Sequence, residues 1–361
     1  MRICFIADAN HPNTLNWVNY FATDLGHEVH LISLNKPQLT DSDVSFHHLD
    51  LPIKNKIRYL FPISPLNKII GKILPDVVVG YRLNSYAFMA AKTGFHPLIV
   101  AAQSQKAAGN FRVIRKPFQW LAAKYALRHA DLALAWGPHI ARDIISLGGN
   151  KNKIFTLPRG VDLRRFNFKP RKKSVGLYIV TTRGLNPGYN LKVVFQAVAK
   201  LSQKVDDLKY FVIGDGVERE SLVQMSKSLD IENQVEFIGR VSYDSIYEYL
   251  CRSDLYISPV PEDGVSSSLL EAIAAGVFPI VADIEANRYW LSLGCKFLLF
   301  NPYSVDHLVD KILEYQSKRE EFKKHLAGNR EVVKKNASWV DNMKSLEQAF
   351  AQLVMERESI R

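Results

Sequence analysis

Two carboxylates, Asp263 and Glu271, stand on either side of Gly264, Val265, Ser266, Ser267, Ser268, Leu269 and Leu270, and a small-residue run then leads into an apolar segment at 278–282. Serines ahead of Leu-Leu-Glu-Ala mark a helix start, where the first backbone N–H groups lack intrahelical acceptors and the helix dipole is positive. Such a start can seat a phosphate. Acids beside it would repel the phosphate itself, so their expected task is to accept hydrogen bonds from hydroxyls that flank it. Hydroxyls on both sides of a phosphate group describe a nucleotide-sugar. The plainer reading, an Asp at a helix cap and an unrelated Glu within the helix, is common in proteins, and only the surrounding pattern tells against it.

Other candidates carry less chemistry. Asp41-Ser42-Asp43 has an Asp-any-Asp form that can bind a metal ion, but it precedes a short apolar run and reads as a solvated turn. His47-His48 lacks the spaced partners of a metal site and reads as a strand end. No metal and no resident cofactor are expected.

The elements that must position these residues alternate. Short apolar runs at 3–7, 29–34, 77–79, 98–101, 132–136 and 154–157 are separated by helical spacings such as Leu15, Val18, Ala22 and Leu25, closed by Gly26. After a charged, proline-bearing stretch at 164–173, strands recur at 177–181, 210–213, 235–238, 255–258, 278–281 and 297–299. Strand and helix in alternation imply parallel sheets with crossovers. The expectation is an α/β chain of two doubly wound, Rossmann-like domains, 1–165 and 166–339, with a C-terminal helix at 340–361 returning to the first. Ligands of such sheets bind beyond the carboxyl ends of the strands.

The chain has 361 residues and three widely spaced cysteines, Cys4, Cys251 and Cys295, in no metal-ligand pattern. A reduced, cytoplasmic protein is the expectation. The run at 2–7 is too short for a signal-peptide core, and no stretch reaches the length of a spanning helix. The net charge of +11 lies in the first half: residues 1–165 hold 21 Lys and Arg against 10 Asp and Glu, and the remainder holds 26 of each sign. There Lys54, Lys56, Arg58, Lys68 and Lys72 interleave with Ile57, Leu60, Phe61, Ile69 and Ile70, and Arg112, Arg115, Lys116, Lys124 and Arg128 accompany Phe111, Phe118 and Trp120. Basic segments bearing aromatics suit the inner face of an anionic membrane, though solvated charge around buried apolar faces gives the same composition. No nucleic-acid motif accompanies the charge, so nucleic acid is not an expected partner.

With these residues in view, the chain resembles the retaining GT-B glycosyltransferases of the family-four, or group 1, type. The resemblance runs through Asp263 to Ala272, Ala275-Gly276 and Pro279, then Gly214-Asp215-Gly216 and Gly239-Arg240-Val241, each after an expected strand. It implies transfer from a nucleoside diphosphate-sugar to a polysaccharide, lipid-linked or other glycoconjugate acceptor with retention at the anomeric carbon. By the same resemblance Asp263, or the adjacent Glu262, holds sugar hydroxyls, and Glu271 accepts from the ribose. Amides from Gly264 and Ser266 through Leu270 hold the diphosphate, and Gly214, Gly216 and Arg240 line the nucleotide. Arg183 stabilises the leaving diphosphate, in the run Thr181 to Asn190, with Asn190 or Lys192 assisting.

The family pattern is not fully kept. Asp263 stands where Glu is usual, Gly184 where the usual Arg stands, with Arg183 one position earlier, and Tyr189 where the usual Lys stands. In the first domain, His11, Asn13 and Thr14 replace a Gly-rich turn and are expected to offer donors to acceptor or phosphate, with a helix cap as the competing role. Gln103 and Lys106 lie in the Gln103-Ser104-Gln105-Lys106 turn, where relatives place a histidine or a Gly-Ser-Asp turn. Pro158-Arg159-Gly160-Val161-Asp162 matches a family turn before the linker. These departures keep two alternatives open: a sugar-nucleotide 2-epimerase of the same architecture, and a non-catalytic member that binds nucleotide or a partner.

Overall fold

The computed structural model describes residues 1–37, 43–51, 63–102, 117–171 and 176–359. Gln103, Lys106, Asp41-Ser42, residues 54–61 and 111–116, and part of the expected linker lie outside them. The chain divides into two compact units, Met1–Pro158 with Met343–Arg361, and Arg159–Asn342.

The first unit is built on a parallel sheet of β1 (Arg2–Ile6), β2 (Glu28–Ser33), β3 (Val44–His48), β4 (Val77–Tyr81), β5 (Leu98–Ala102), β6 (Leu132–Ala135) and β7 (Ile154–Thr156), in the order β3-β2-β1-β4-β5-β6-β7. Its crossovers carry α1 (Pro12–Asn19), α2 (Ser64–Ile73), α3 (Ala87–Lys92), α4 (Pro117–His129) and α5 (Pro138–Ser146). A sheet with helices on both faces must be apolar on both, which is why β4 and β5, and β1 from Ile3 onward, read as apolar runs and are buried along their length.

The second unit repeats the plan with β8 (Leu177–Thr182), β9 (Leu208–Ile213), β10 (Val235–Gly239), β11 (Leu255–Ser258), β12 (Phe278–Ala282) and β13 (Leu298–Phe300), in the order β10-β9-β8-β11-β12-β13. Its helices are α6 (Lys192–Ser202), α7 (Arg219–Ser228), α8 (Tyr243–Cys251), α9 (Ser267–Ala275), α10 (Glu285–Ser292), α11 (Val305–Ser317), α12 (Arg319–Lys323) and α13 (Leu326–Ala337). The last helix, α14 (Trp339–Glu358), starts in this unit and from Met343 onward belongs to the first. There Phe350 stacks on Phe21 at 5.3 Å, and Glu347 meets His27 at 2.7 Å.

The boundary falls earlier than residue 165. Residues from Arg159 belong with the second unit, because Val161 bridges Ser338, Arg330 donates to the Phe166 carbonyl at 2.7 Å, and Phe166 packs edge-on against Tyr243 and Tyr247.

A buried carboxylate ties the rim of the second sheet. Asp254, whose side chain is fully buried, accepts from Arg171, from Arg319 and from the Tyr178 backbone N–H at 3.0 Å, and Arg319 also donates to the Gly176 carbonyl at 3.2 Å. Both guanidiniums are mostly buried with it. Replacing Asp254 by Ala would strand two cations in a low-dielectric site, and urea denaturation is expected to show a loss of about 3–5 kcal/mol. A loss under about 1 kcal/mol would mean that water already screens the cluster.

Candidate functional site

In the second sheet the strand order reverses between β8 and β11, the point beyond whose carboxyl ends open α/β sheets bind ligands. The loops that leave these two strands meet there. Arg183 follows β8, and its Nε donates to Ser258 Oγ at the end of β11 at 3.2 Å. One terminal nitrogen bonds Asp263 and also Ser266 Oγ at 2.7 Å. Burial works against the charge on Arg183, but Asp263, Tyr256 and Tyr189 together outweigh it, so the guanidinium stays protonated and its position is over-determined. The Tyr189 ring lies 5.8 Å from it.

The Arg183 loop is also held from β9. Gly214 has φ +135°, and a Cβ there would lie 2.2 Å from the Arg183 carbonyl oxygen; a Cβ on Gly216 would lie 2.3 Å from that of Leu185. Only glycine permits this approach. Gly214 and Gly216 therefore shape the site by letting two loops touch, while Arg240 is exposed beyond β10 after Gly239 at φ +79°.

Helix α9 begins as its sequence predicts. Ser266 is the N-cap, with Oγ accepting from the Leu269 N–H at 3.2 Å while its carbonyl accepts from the Leu270 N–H at 3.2 Å. The helix ends at Gly276, which takes the left-handed conformation at φ +88°. Leu269 and Leu270 thus depart from their expected role: their amides are satisfied within the cap and their side chains are fully buried. The amides of Ser267 and Ser268 have no acceptor among the described residues and are the donors free for an anion. Ser268 Oγ donates to the Thr182 carbonyl at 2.9 Å, joining α9 to β8.

Glu271 lies one turn into α9 and is 7% exposed. It accepts no hydrogen bond from any described residue. Burial raises its pKa above the usual carboxylate value, opposed by the charges of Arg159 and then Arg183. Asp263 is half-buried on Arg183, with Oδ1 accepting from the Gly264 N–H at 2.8 Å; Glu262 is exposed. Lys192 pairs loosely with Glu218 at 3.6 Å, and Asn190 donates to the Pro302 carbonyl at 2.6 Å, so both are engaged away from Arg183's partners.

In the first unit the loop after β1 departs from the expected donor set. His11 caps α1, its Nδ1 accepting from the Asn13 N–H at 3.2 Å, and Thr14 is buried, which removes its hydroxyl from solvent. Asn13 is half-buried. Among the described residues no group of three His, Cys, Asp or Glu could hold a metal ion. Ser258 was not among the expected site residues; its polar type at the end of an apolar strand was the available signal.

Two family models match the chain, glycosyl transferases group 1 over residues 164–333 and glycosyl transferase 4-like over residues 2–135. The chain belongs to the group 1 glycosyltransferases. It is 32% identical over 135 residues to 2-deoxystreptamine N-acetyl-D-glucosaminyltransferase of Niallia circulans, covering 36% of this chain and 35% of that one. It is 28% identical over 286 residues to an uncharacterized glycosyltransferase of Haemophilus influenzae, covering 74% and 75%. The chain thus spans about a third of the first relative's length and three quarters of the second's. HepE of Anabaena, solved with UDP and glucose, superposes with a TM-score of 0.80 at 15% identity, covering 98% of this chain and all of that one. That likeness shows the fold, GT-B.

Because the folded pKa of Glu271 is raised, the folded chain holds the Glu271 proton to a higher pH than the unfolded chain does. Its contribution to stability is complete below pH about 4.5 and is lost as pH rises through the folded value. Glu271→Gln keeps the shape without that loss. The variant is expected to resist urea better than wild type at about pH 8 and equally at about pH 4. Equal stability at both pH values would show that Glu271 is hydrated.

Proposed function

We propose that this chain transfers a monosaccharide from a nucleoside diphosphate-sugar to a glycan or lipid-linked acceptor, with retention at the anomeric carbon and without a metal. The observation that carries the reading is the Arg183 guanidinium, bonded to Asp263 and to the cap of α9, beside two unbonded amides and a buried carboxylate. In the reaction, the bond from the anomeric carbon to the phosphate oxygen breaks and its electron pair leaves with the diphosphate. Arg183 and the start of α9 stabilise that developing charge. The acceptor oxygen forms its bond to the same face of the sugar, and a leaving phosphate oxygen takes its proton. Glu271 accepts from the ribose and Asp263 from the sugar. Since Asp263 is bonded to Arg183 in the free protein, donor binding re-divides that pair, the phosphate taking part of the cation's attention and the sugar hydroxyls part of the anion's.

UDP-sugars are the first donors to test, because HepE was captured with UDP. Thermal shift against UDP-, GDP-, ADP- and TDP-sugars is expected to raise the melting point for one base, since a ligand that binds only the folded state stabilises it. With a donor and acceptor established, Asp263→Ala and Glu271→Ala should each lower transfer at least about 100-fold. Full activity in both would place the donor elsewhere, and epimerised nucleotide-sugar formed without acceptor would replace transfer by epimerisation.

The acceptor side is proposed to work at the inner, anionic face of a membrane. Helix α4 has no acidic residue and exposes Phe118, Trp120, Leu121 and Tyr125 beside Lys124 and Arg128, with Lys124 Nζ 4.9 Å from the Trp120 ring. Lys68 and Lys72 are exposed on α2, and no helix among the described residues is long and apolar enough to cross a membrane. Sedimentation with vesicles rich in phosphatidylglycerol should carry the protein down at low salt and less at high salt, whereas phosphatidylcholine vesicles should not. Equal failure on both compositions would end this part of the proposal.

A further inference from the structure

We propose that Arg159 is a positioning residue of the donor site, which keeps Glu271 as a buried carboxylate anion beside the start of α9, ready to accept the hydroxyl hydrogens of a nucleotide. The inference rests on the donor reading of α9 and adds to it a residue from outside the signature, on the segment that follows β7.

Ser267 and Glu271 are four residues apart on α9 and so lie on one face, with the longer side chain leaning back toward the helix start. Arg159 is fixed over that face. Its Nη1 donates to Ser267 Oγ at 2.8 Å, its Nη2 to the Tyr243 hydroxyl at the start of α8 at 3.2 Å, and its guanidinium stands 5.8 Å from the Trp339 ring. Its Nε is buried without an acceptor. Arg159 forms no salt bridge among the described residues, whereas the Arg183 charge is bonded to Asp263.

The need for a cation follows from Glu271 itself. A carboxylate so deeply buried and without a hydrogen-bond donor favours its neutral form. A neutral carboxyl would present an O–H where the nucleotide also presents one. The charges that oppose this are those of Arg159, the larger, and Arg183. Among the described residues no other cation acts on Glu271: Arg330 of α13 is spent on the Phe166 and Ala274 carbonyls, Lys169 lies at the far end of α9 where its N–H bonds the Ala275 carbonyl, α8 brings Tyr243 and Tyr247, and the loop after β11 brings Asp263 and Glu262.

The test needs no ligand. With glutamate labelled by 13C at the side-chain carboxyl, NMR titration between about pH 4 and pH 9 follows Glu271, whose resonance is assigned by its disappearance in Glu271→Gln. Arg159→Gln is expected to raise the Glu271 pKa by about one unit or more, and Arg159→Lys to return most of that shift. An unchanged Glu271 titration in Arg159→Gln would overturn the proposal. So would a lower pKa, the sign expected if Arg159 merely packs the helix and its loss admits water. Should Arg159→Gln fail to fold, Ser267→Ala, which frees the guanidinium, is expected to shift the titration upward by less; no shift there would equally overturn it. Since the readout is the free protein, failure of the donor reading would appear separately, as unchanged UDP-sugar binding in Glu271→Gln.

Discussion

The second unit is organised around one guanidinium held by three side chains from distant segments. Arg183 leaves the end of β8, yet its bonds go to Ser258 at the end of β11, to Asp263 in the loop beyond, and to the cap of α9. These partners converge because the strand order reverses between β8 and β11. The glycine turn after β9 exists to let that loop close, since any side chain at position 214 would collide with the Arg183 carbonyl. In the proposed transfer, a cation held this firmly would meet an incoming phosphate with little reorganisation, which is what electrostatic stabilisation of a leaving group requires.

Two buried acids in the same unit show how environment separates structure from chemistry. Asp254 is surrounded by donors, two guanidiniums and a backbone N–H, and has nothing left to offer a ligand. Glu271 is nearly as buried but accepts from no described donor, and the cations near it act through space. The first arrangement closes a sheet rim. The second leaves acceptor capacity in reserve, at a cost in stability that a purely structural carboxylate would avoid. Residue type alone does not distinguish them.

Much of this was legible in the sequence for physical reasons. Strands such as β4 and β5 announce themselves because a sheet covered on both faces needs apolar runs, and α9 because serines precede its small residues. The pairing of an acid before that helix with one inside it was readable as a nucleotide-sugar pattern. The amides of Leu269 and Leu270 were misassigned because cap hydrogen bonds consume particular N–H groups, which depends on the Ser266 rotamer. The hydroxyl of Thr14 was misassigned because burial of a helix's first turn is set by what packs over it. Ser258 and the bonds of Arg159 escaped notice because their partners are separated by 75 or more residues along the chain.

By itself the sequence determined the alternation of elements, the capped start of α9 and the identities of the acids that flank it, since these depend on local periodicity, caps and residue chemistry. Tertiary structure alone decided which cation serves which acid. Arg183 is bound to Asp263, and Arg159, 112 positions before Glu271, reaches the helix that carries it. Charge acts through space and its strength depends on burial, and both are fixed only when distant segments pack together.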